Sequence, residues 1–341
     1  TALTRPAQAA HHAVILQYHH VDPSTPASTS VTPDRFAAHL QRLADDGFRV
    51  APLPGVIAAL RAGDDIPDST VCLTADDGYA NLRSHALPLL EKHGWTMTVF
   101  VCTEQVDRGR PLHLGWDDLR VLQDAGWTIA SHGTTHEHLV ARRPGETEHQ
   151  WRSRVRENIA GSVARLRAEL DDVPPFFAYP YGEYDPALLD VVRDLDLVGF
   201  GQHSGAVGPH ADLAALPRYP ASGPYAEVDD VAFKAATLPL PVVAAEPASP
   251  VLPDDVTRPL LTLTVAAGPW QATGLAAYVS GQGRAELTWQ DREANVVTVR
   301  ARESLPPGRS RYNVTAPHRE GGRWFWYSHP WLRTAGGWQD E

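Results

Sequence analysis

The chain has 341 residues, 43% of them hydrophobic, enough for one large domain with a smaller one or for two of middling size. Its formal charge of -11 argues against nucleic acid and anionic membrane surfaces as partners, because both bind basic patches, and fits a neutral or cationic substrate. No run reaches the ~18 to 20 apolar residues that span a bilayer, and the start at Thr1, without methionine, is that expected of a mature or trimmed form.

In chain order, residues 13–18 read as a buried strand that ends at Tyr18-His19-His20. Thr32 as N-cap and Pro33 in the first turn open a helix, along which Phe36, Leu40 and Leu43 recur at helical spacing up to Gly47. Phe48-Arg49-Val50 predicts a short strand, Val56 to Leu60 begins a helix, and residues 71–74 predict a second buried strand running into Asp76-Asp77-Gly78. A helix is expected over 80–93, a strand over 98–102, a helix from Trp116 to Ala125, and a strand over 127–130 leading into His132. The charged segment 146–170 predicts a long helix, followed by strands over 176–179 and 197–200 around a helix over 186–195. Cys72 and Cys102 fall inside two of these strands and are expected as unpaired core residues. Strand and helix alternation predicts parallel strands joined by crossovers in an α/β barrel. Acidic and histidine residues collect at the strand C-termini, where such barrels carry their sites.

Composition shifts near residue 239. Pro239, Pro241, Pro247, Pro250 and Pro253 predict a semi-rigid linker over 241–253, separating a first domain, 1–240, from a second, 254–341. Period-two runs at 261–265, 286–289 and 295–299 make the second a small all-β sandwich. Trp324-Phe325-Trp326-Tyr327 and Trp331 suit a carbohydrate-binding accessory module, although alternation along a strand assigns at least two of them to the core.

The chemistry lies in Asp76, Asp77, His132 and His136. One carboxylate and two neutral imidazoles make a three-ligand site for a divalent ion with a position open to water, and the second carboxylate is left to accept a proton. If His132 and His136 share one helical turn, their i, i+4 spacing turns both rings to one ion. Two adjacent carboxylates push their proton affinities apart unless a cation intervenes.

Thr74-Ala75-Asp76-Asp77-Gly78-Tyr79, Ser131-His132-Gly133-Thr134-Thr135-His136 and Phe177-Ala178-Tyr179-Pro180-Tyr181-Gly182 resemble, in order and spacing, three motifs of the polysaccharide deacetylases, carbohydrate esterase family 4 with its NodB-homology domain. The resemblance covers residues 13–222. It implies a distorted (β/α) barrel, Asp76 as general base, Asp77, His132 and His136 as ligands of one metal ion, usually Zn2+, and the Tyr181 backbone N–H as an oxyanion donor. Gln17-Tyr18-His19-His20-Val21 resembles the subgroup acting on poly-β-1,6-N-acetylglucosamine, which makes His19 the general acid, with His20 and His203 as competing assignments. Ala75 and Ala178 depart from the family pattern, the second at a position where many members carry an arginine that steadies the base. Arg218 is a candidate to supply that charge or, with Trp116 and Tyr179, to contact substrate.

The expected activity is therefore metal-dependent removal of N-acetyl groups from an N-acetylglucosamine-containing polysaccharide, in the periplasm or outside the cell. Oligomeric state is left open. Glycan O-deacetylation on the same site, a carbohydrate-binding protein with a decayed site, and hydrolysis of small cyclic or aryl amides are the alternatives.

Overall fold

The structure is a computed structural model that describes residues 9–334. Its main sheet comprises β1 (Ala13–Tyr18), β2 (Arg49–Val50), β3 (Thr70–Ala75), β4 (Thr98–Val101), β5 (Thr128–Ser131), β6 (Phe176–Ala178), β7 (Val198–Phe200), β8 (Ala206–Val207) and β9 (Tyr219–Pro220). The strands lie in the order β7-β6-β5-β4-β3-β1-β8, with β2 beside β3 and β9 beside β1, and every pairing except β1 with β8 is parallel. Strands such as β1 and β3 are buried on both faces, which is why they read as continuous apolar runs.

One short segment curls this sheet toward closure. Leu216 bridges in parallel to Phe200 at one edge, and Tyr219–Pro220 pairs with Leu16–Gln17 at the other. The result is a distorted barrel. Ala13, Ile15, Cys72, Phe100, Ala130, Ala178 and Phe200 fill its interior.

Helices cover the outer face: α1 (Pro33–Asp45), α2 (Leu53–Ala62), α3 (Trp116–Asp124), α4 (Glu148–Glu169), α5 (Pro186–Asp194) and α6 (Val228–Ala235). Thr32 Oγ1 accepts the Arg35 N–H at 3.2 Å, satisfying an orphan donor of the first turn of α1. The long α4 opens on a capping box between Thr147 and Gln150 and buries Trp151, Val155, Ile159 and Leu166. Residues 80–93 do not form the single helix expected. A π-helical turn, Leu82–Ala86, precedes a short α-helix, Leu87–Glu91, because Pro88 has no N–H to donate to the Ser84 carbonyl and the ladder widens there.

The second unit is a β-sandwich. One sheet contains β10 (Leu238–Pro239), β13 (Ala276–Val279), β14 (Gly283–Arg284), β17 (Gly308–Pro317) and β18 (Trp324–Arg333). The other contains β11 (Val242–Glu246), β12 (Leu260–Val265), β15 (Glu286–Asp291) and β16 (Val296–Arg300). Leu261, Leu263, Val297 and Val299 of one sheet share a core with Ala277, Tyr312, Val314 and Trp331 of the other. The proline-rich segment expected as a linker thus supplies β11, an edge strand. Pro239, Pro241, Pro247 and Pro250 lie outside its residues 242–246, so their missing N–H groups cost the ladder nothing.

The sandwich is docked on the barrel. Arg323 pairs with Asp68 at 2.8 Å, and Trp326 meets Tyr219 edge-on at 5.6 Å between ring centroids. No helix among the described residues is long and apolar enough to cross a membrane.

Candidate active site

Asp76 and Asp77 follow the last residue of β3, and the chain must turn sharply there. Asp77 sits at φ 69° and Gly78 at φ 64°, two consecutive left-handed residues that lift the Asp77 carboxylate over the strand end. A Cβ at Gly78 would lie 2.6 Å from Val101 Cγ1, so only glycine fits.

His132 and His136 are not on a helix. They lie on the loop after β5. What turns both rings inward is a bend at Gly133, at φ 86°, where a Cβ would come 2.7 Å from Asn158 Oδ1. Asn158 of α4 caps the same bend, accepting the Thr134 N–H at 3.0 Å.

The three side chains meet. Asp77 Oδ1 is 3.3 Å from His132 Nε2 and 3.5 Å from His136 Nε2, and one ligand atom from each of the three lies within 4.8 Å of the others. A tetrahedral ion with bonds of about 2.0 to 2.1 Å holds its ligand atoms about 3.3 Å apart. His132 Nδ1 is 2.8 Å from the Ala178 carbonyl, which fixes that nitrogen as the donor and leaves Nε2 as a lone pair. That buried Nε2 has no hydrogen-bond partner. The donor set therefore fits a divalent cation.

Electrostatics act on the three groups unequally. Burial works to raise Asp77, but His132, His19 and His136 outweigh it and hold the carboxyl far below its ordinary value. Burial, helped by His132, pushes His136 down to about 4, so it is neutral at pH 7. Burial also works against charge on His132, yet Asp77 and Asp76 overcome it and raise the ring above its ordinary value. Without a cation this imidazole competes for a proton.

Asp76 is fully buried, and its carboxylate is held on three sides. Arg218 donates to both oxygens, at 2.6 and 2.8 Å, and the Gln17 amide donates to Oδ2 at 2.6 Å. A carboxylate has about four acceptor positions, so one on Oδ1 remains. Burial works to raise the Asp76 carboxyl, but Arg218 and then His132 keep it below the ordinary range. Arg218 lies on the closing segment between Leu216 and Tyr219 and is itself locked by the Gly201 carbonyl at 2.9 Å. Ala178 brings no charge to Asp76, and the guanidinium that does so comes from this closing segment.

Asp77 and His136 open into a cleft of roughly 750 Å³ also bordered by His19, His20, Tyr79, His113, His138 and Tyr181. His20 stacks on Tyr79 at 3.5 Å, receives the Asn81 amide on Nδ1 at 2.9 Å, and is pushed by burial to about 4. Tyr181 adopts φ 58°, a left-handed conformation costly for a side-chain-bearing residue, and its ring stacks on His138 at 4.1 Å. His138 Nδ1 is 2.6 Å from Glu183 Oε2.

Three candidates lie away from the cleft. Tyr179 is fully buried with its hydroxyl on the Ala214 carbonyl at 2.7 Å. Trp116 donates to Asp107 at 3.0 Å, lies beneath Arg165, and packs on the barrel's outer core. His203 is buried beside a separate cavity of roughly 470 Å³ between the two units, and burial pushes it to about 3. Arg218, considered for substrate contact, is sequestered on Asp76. Cys72 and Cys102 are buried and unbonded to each other; the Cys102 thiol donates to the His132 carbonyl at 3.2 Å.

Residues 63–200 match the family model for polysaccharide deacetylases. YxkH of Bacillus subtilis, a protein named for the same family, is 25% identical over 206 residues, which are 60% of this chain and 69% of YxkH. The poly-β-1,6-N-acetyl-D-glucosamine N-deacetylase of Escherichia coli K12 is 22% identical over 223 residues, and the match spans 56% of this chain and only 33% of that enzyme. Among solved structures, IcaB from Ammonifex degensii superposes with a TM-score of 0.58 at 25% identity, covering 66% of this chain and 97% of IcaB. Over residues 63–200 the barrel of this chain thus resembles a polysaccharide deacetylase domain, in agreement with the motifs at its strand ends.

Proposed function

We propose that the protein hydrolyses the acetamide of N-acetylglucosamine residues in a polysaccharide, releasing acetate and a free amine, with Asp77, His132 and His136 holding one Zn2+. The observation that supports this most is the unpartnered, buried His132 Nε2, aimed at Asp77 and His136 beside an arginine-anchored Asp76. Zinc bound there supplies Lewis acidity, lowering the pKa of water at the open position and polarising a carbonyl oxygen.

The chain's own residues do the rest. Asp76, deprotonated across the neutral range, has one acceptor position left for the proton of the attacking water. Gln17 and Arg218 hold that carboxylate in one orientation, and Arg218 keeps a charge beside it whether or not the proton is on board. Tyr181, held in its left-handed turn, presents its backbone N–H to the developing oxyanion. His19 borders the cleft and protonates the departing nitrogen. His20 is less suited to that task, because at about 4 it is neutral when the reaction runs. The need for an acid favours an amide over an ester substrate. A polysaccharide substrate, like the one in the name of the E. coli relative, suits a reaction in the periplasm or outside the cell.

Acetate release from β-1,6- and β-1,4-linked N-acetylglucosamine oligomers, with and without a chelator, tests the reading. Asp76→Asn should keep the metal and lose about 10²- to 10⁴-fold in rate, the range for a general base. His132→Ala should lose metal and activity together. Full rate in Asp76→Asn, or metal-independent acetate release, refutes the assignment.

A further inference from the structure

The sandwich forms one wall of the catalytic cleft. Arg309, Arg311 and Arg333, from β17 and β18, border the same space as His19, Asp77 and His136. In a chain of formal charge -11, this is a local reversal of sign. Only two carboxylates, Asp77 and Glu183, border the cleft among the described residues. Asp77 belongs to the metal set, and Glu183 is engaged by His138 at 2.6 Å and Arg309 at 3.5 Å.

Arg311 is left over. Among the described residues no carboxylate lies within ion-pair distance of it, and the single hydrogen bond of its guanidinium is a long one, Nη1 to Ser204 Oγ at 3.5 Å. A guanidinium carries five N–H donors, so most of its capacity is unused. Its surroundings are cationic: burial lowers the affinity of Arg311 for its proton and Arg309 lowers it further, with only the Tyr225 hydroxyl opposing. Burial brings the neighbouring Lys234 to about 8, Asp230 opposing and Arg311 adding to the fall. Ser222 completes the picture. It borders the same cleft, is 4% exposed, and its Oγ has no partner. A half-buried guanidinium without a counter-charge among the described residues, in a cleft that also carries an unused hydroxyl, is costly in isolation and becomes favourable when an anion enters.

The geometry points to an oxyanion subsite around Arg311 in the catalytic cleft, so that the sandwich selects acidic glycans bearing a carboxylate or phosphate near the acetamide. The planar guanidinium matches either group with two parallel hydrogen bonds. The inference rests on the deacetylase reading and narrows its substrate class. It also replaces the neutral or cationic substrate suggested by net charge: the field of the cleft wall, not the sum over the chain, acts on a bound sugar.

The test compares kcat/KM for acetate release from a neutral β-1,6-N-acetylglucosamine oligomer, an alternating glucuronate–N-acetylglucosamine oligomer, and an N-acetylglucosamine polymer joined by phosphodiesters. Wild-type protein should prefer at least one acidic substrate by about tenfold or more, the size of one charge-assisted contact. Arg311→Gln should erase that preference, mainly through KM, and Arg311→Lys should fall between. Whichever acidic polymer is preferred names the group. No preference in the wild type, or a preference that survives in Arg311→Gln, overturns the proposal. If Arg311→Gln does not fold, the wild-type comparison and Arg311→Lys decide. Calorimetric titration of both acidic oligomers into metal-free protein provides a readout independent of catalysis. Binding that weakens with salt and with Arg311→Gln supports the subsite, and no binding refutes it. If no substrate releases acetate, the deacetylase reading fails while the titration still decides Arg311.

Discussion

Replacing Arg218 by methionine removes the guanidinium while keeping much of the side chain's volume. Asp76 would retain only the Gln17 amide, in a place where both members of the ion pair are 0% exposed. Breaking a buried pair by removing one partner costs about 3 to 5 kcal/mol, because the charge left behind is unpaired. At about 2 to 4 °C per kcal/mol for a domain of 150–250 residues, the barrel transition should fall by about 6 to 20 °C. The pH dependence should reverse in sign. In the wild type the Asp76 carboxyl lies below its ordinary value, so it contributes stability that is present above pH ~3.9 and lost as pH falls through the folded pKa. In Arg218→Met, burial dominates and raises that carboxyl, so the barrel should lose stability as pH rises from ~4 toward neutral. Calorimetric scans of wild type, Arg218→Met, Asp76→Asn and the double variant measure this directly. The double variant should recover much of the loss, since no charge is left unpaired. An Arg218→Met transition within about 2 °C of wild type, or a double variant no more stable than it, refutes the view that Arg218 exists to hold Asp76.

The elevated proton affinity of His132 implies that metal must displace a proton, so zinc affinity should rise with pH through the neutral range. Titrations in buffers of different ionisation enthalpy should then show proton release near pH 6.5, and none would contradict the assignment. Gly133→Ala should weaken metal binding and lower thermal stability together, because both φ 86° and the 2.7 Å approach to Asn158 forbid a Cβ; unchanged metal content would show that the loop bends without it. Trp331→Ala, 1% exposed in the sandwich core, should cost about 3 to 5 kcal/mol by denaturant unfolding. Trp324→Ala, 39% exposed, should stay within about 0.5 kcal/mol.

Much of the barrel was legible in the chain. Apolar runs at 13–18 and 71–74 and the cap at Thr32-Pro33 all became the elements expected, because each depends on residues within a few positions of one another. Two expectations met competing local physics: Pro88 broke the helix over 80–93, and the prolines around 239–250 flank a strand rather than making a linker. A third, the shared helical turn, gives way to a different local cause. His132 and His136 converge, but through a glycine bend and not a helical turn.

By itself the amino-acid sequence determined which groups stand at the strand ends: an acidic pair after β3, histidines after β5, a tyrosine turn after β6. Strand ends are set by short-range pattern, so these could be read directly. Tertiary structure alone decided that Arg218 closes on Asp76, that Tyr179 turns its hydroxyl inward, and that Arg311 of the sandwich reaches the cleft. Those contacts arise only when a sheet curls until its two edges share one segment, and when a second unit docks on the rim. Both are long-range events, and no window of neighbouring residues encodes them.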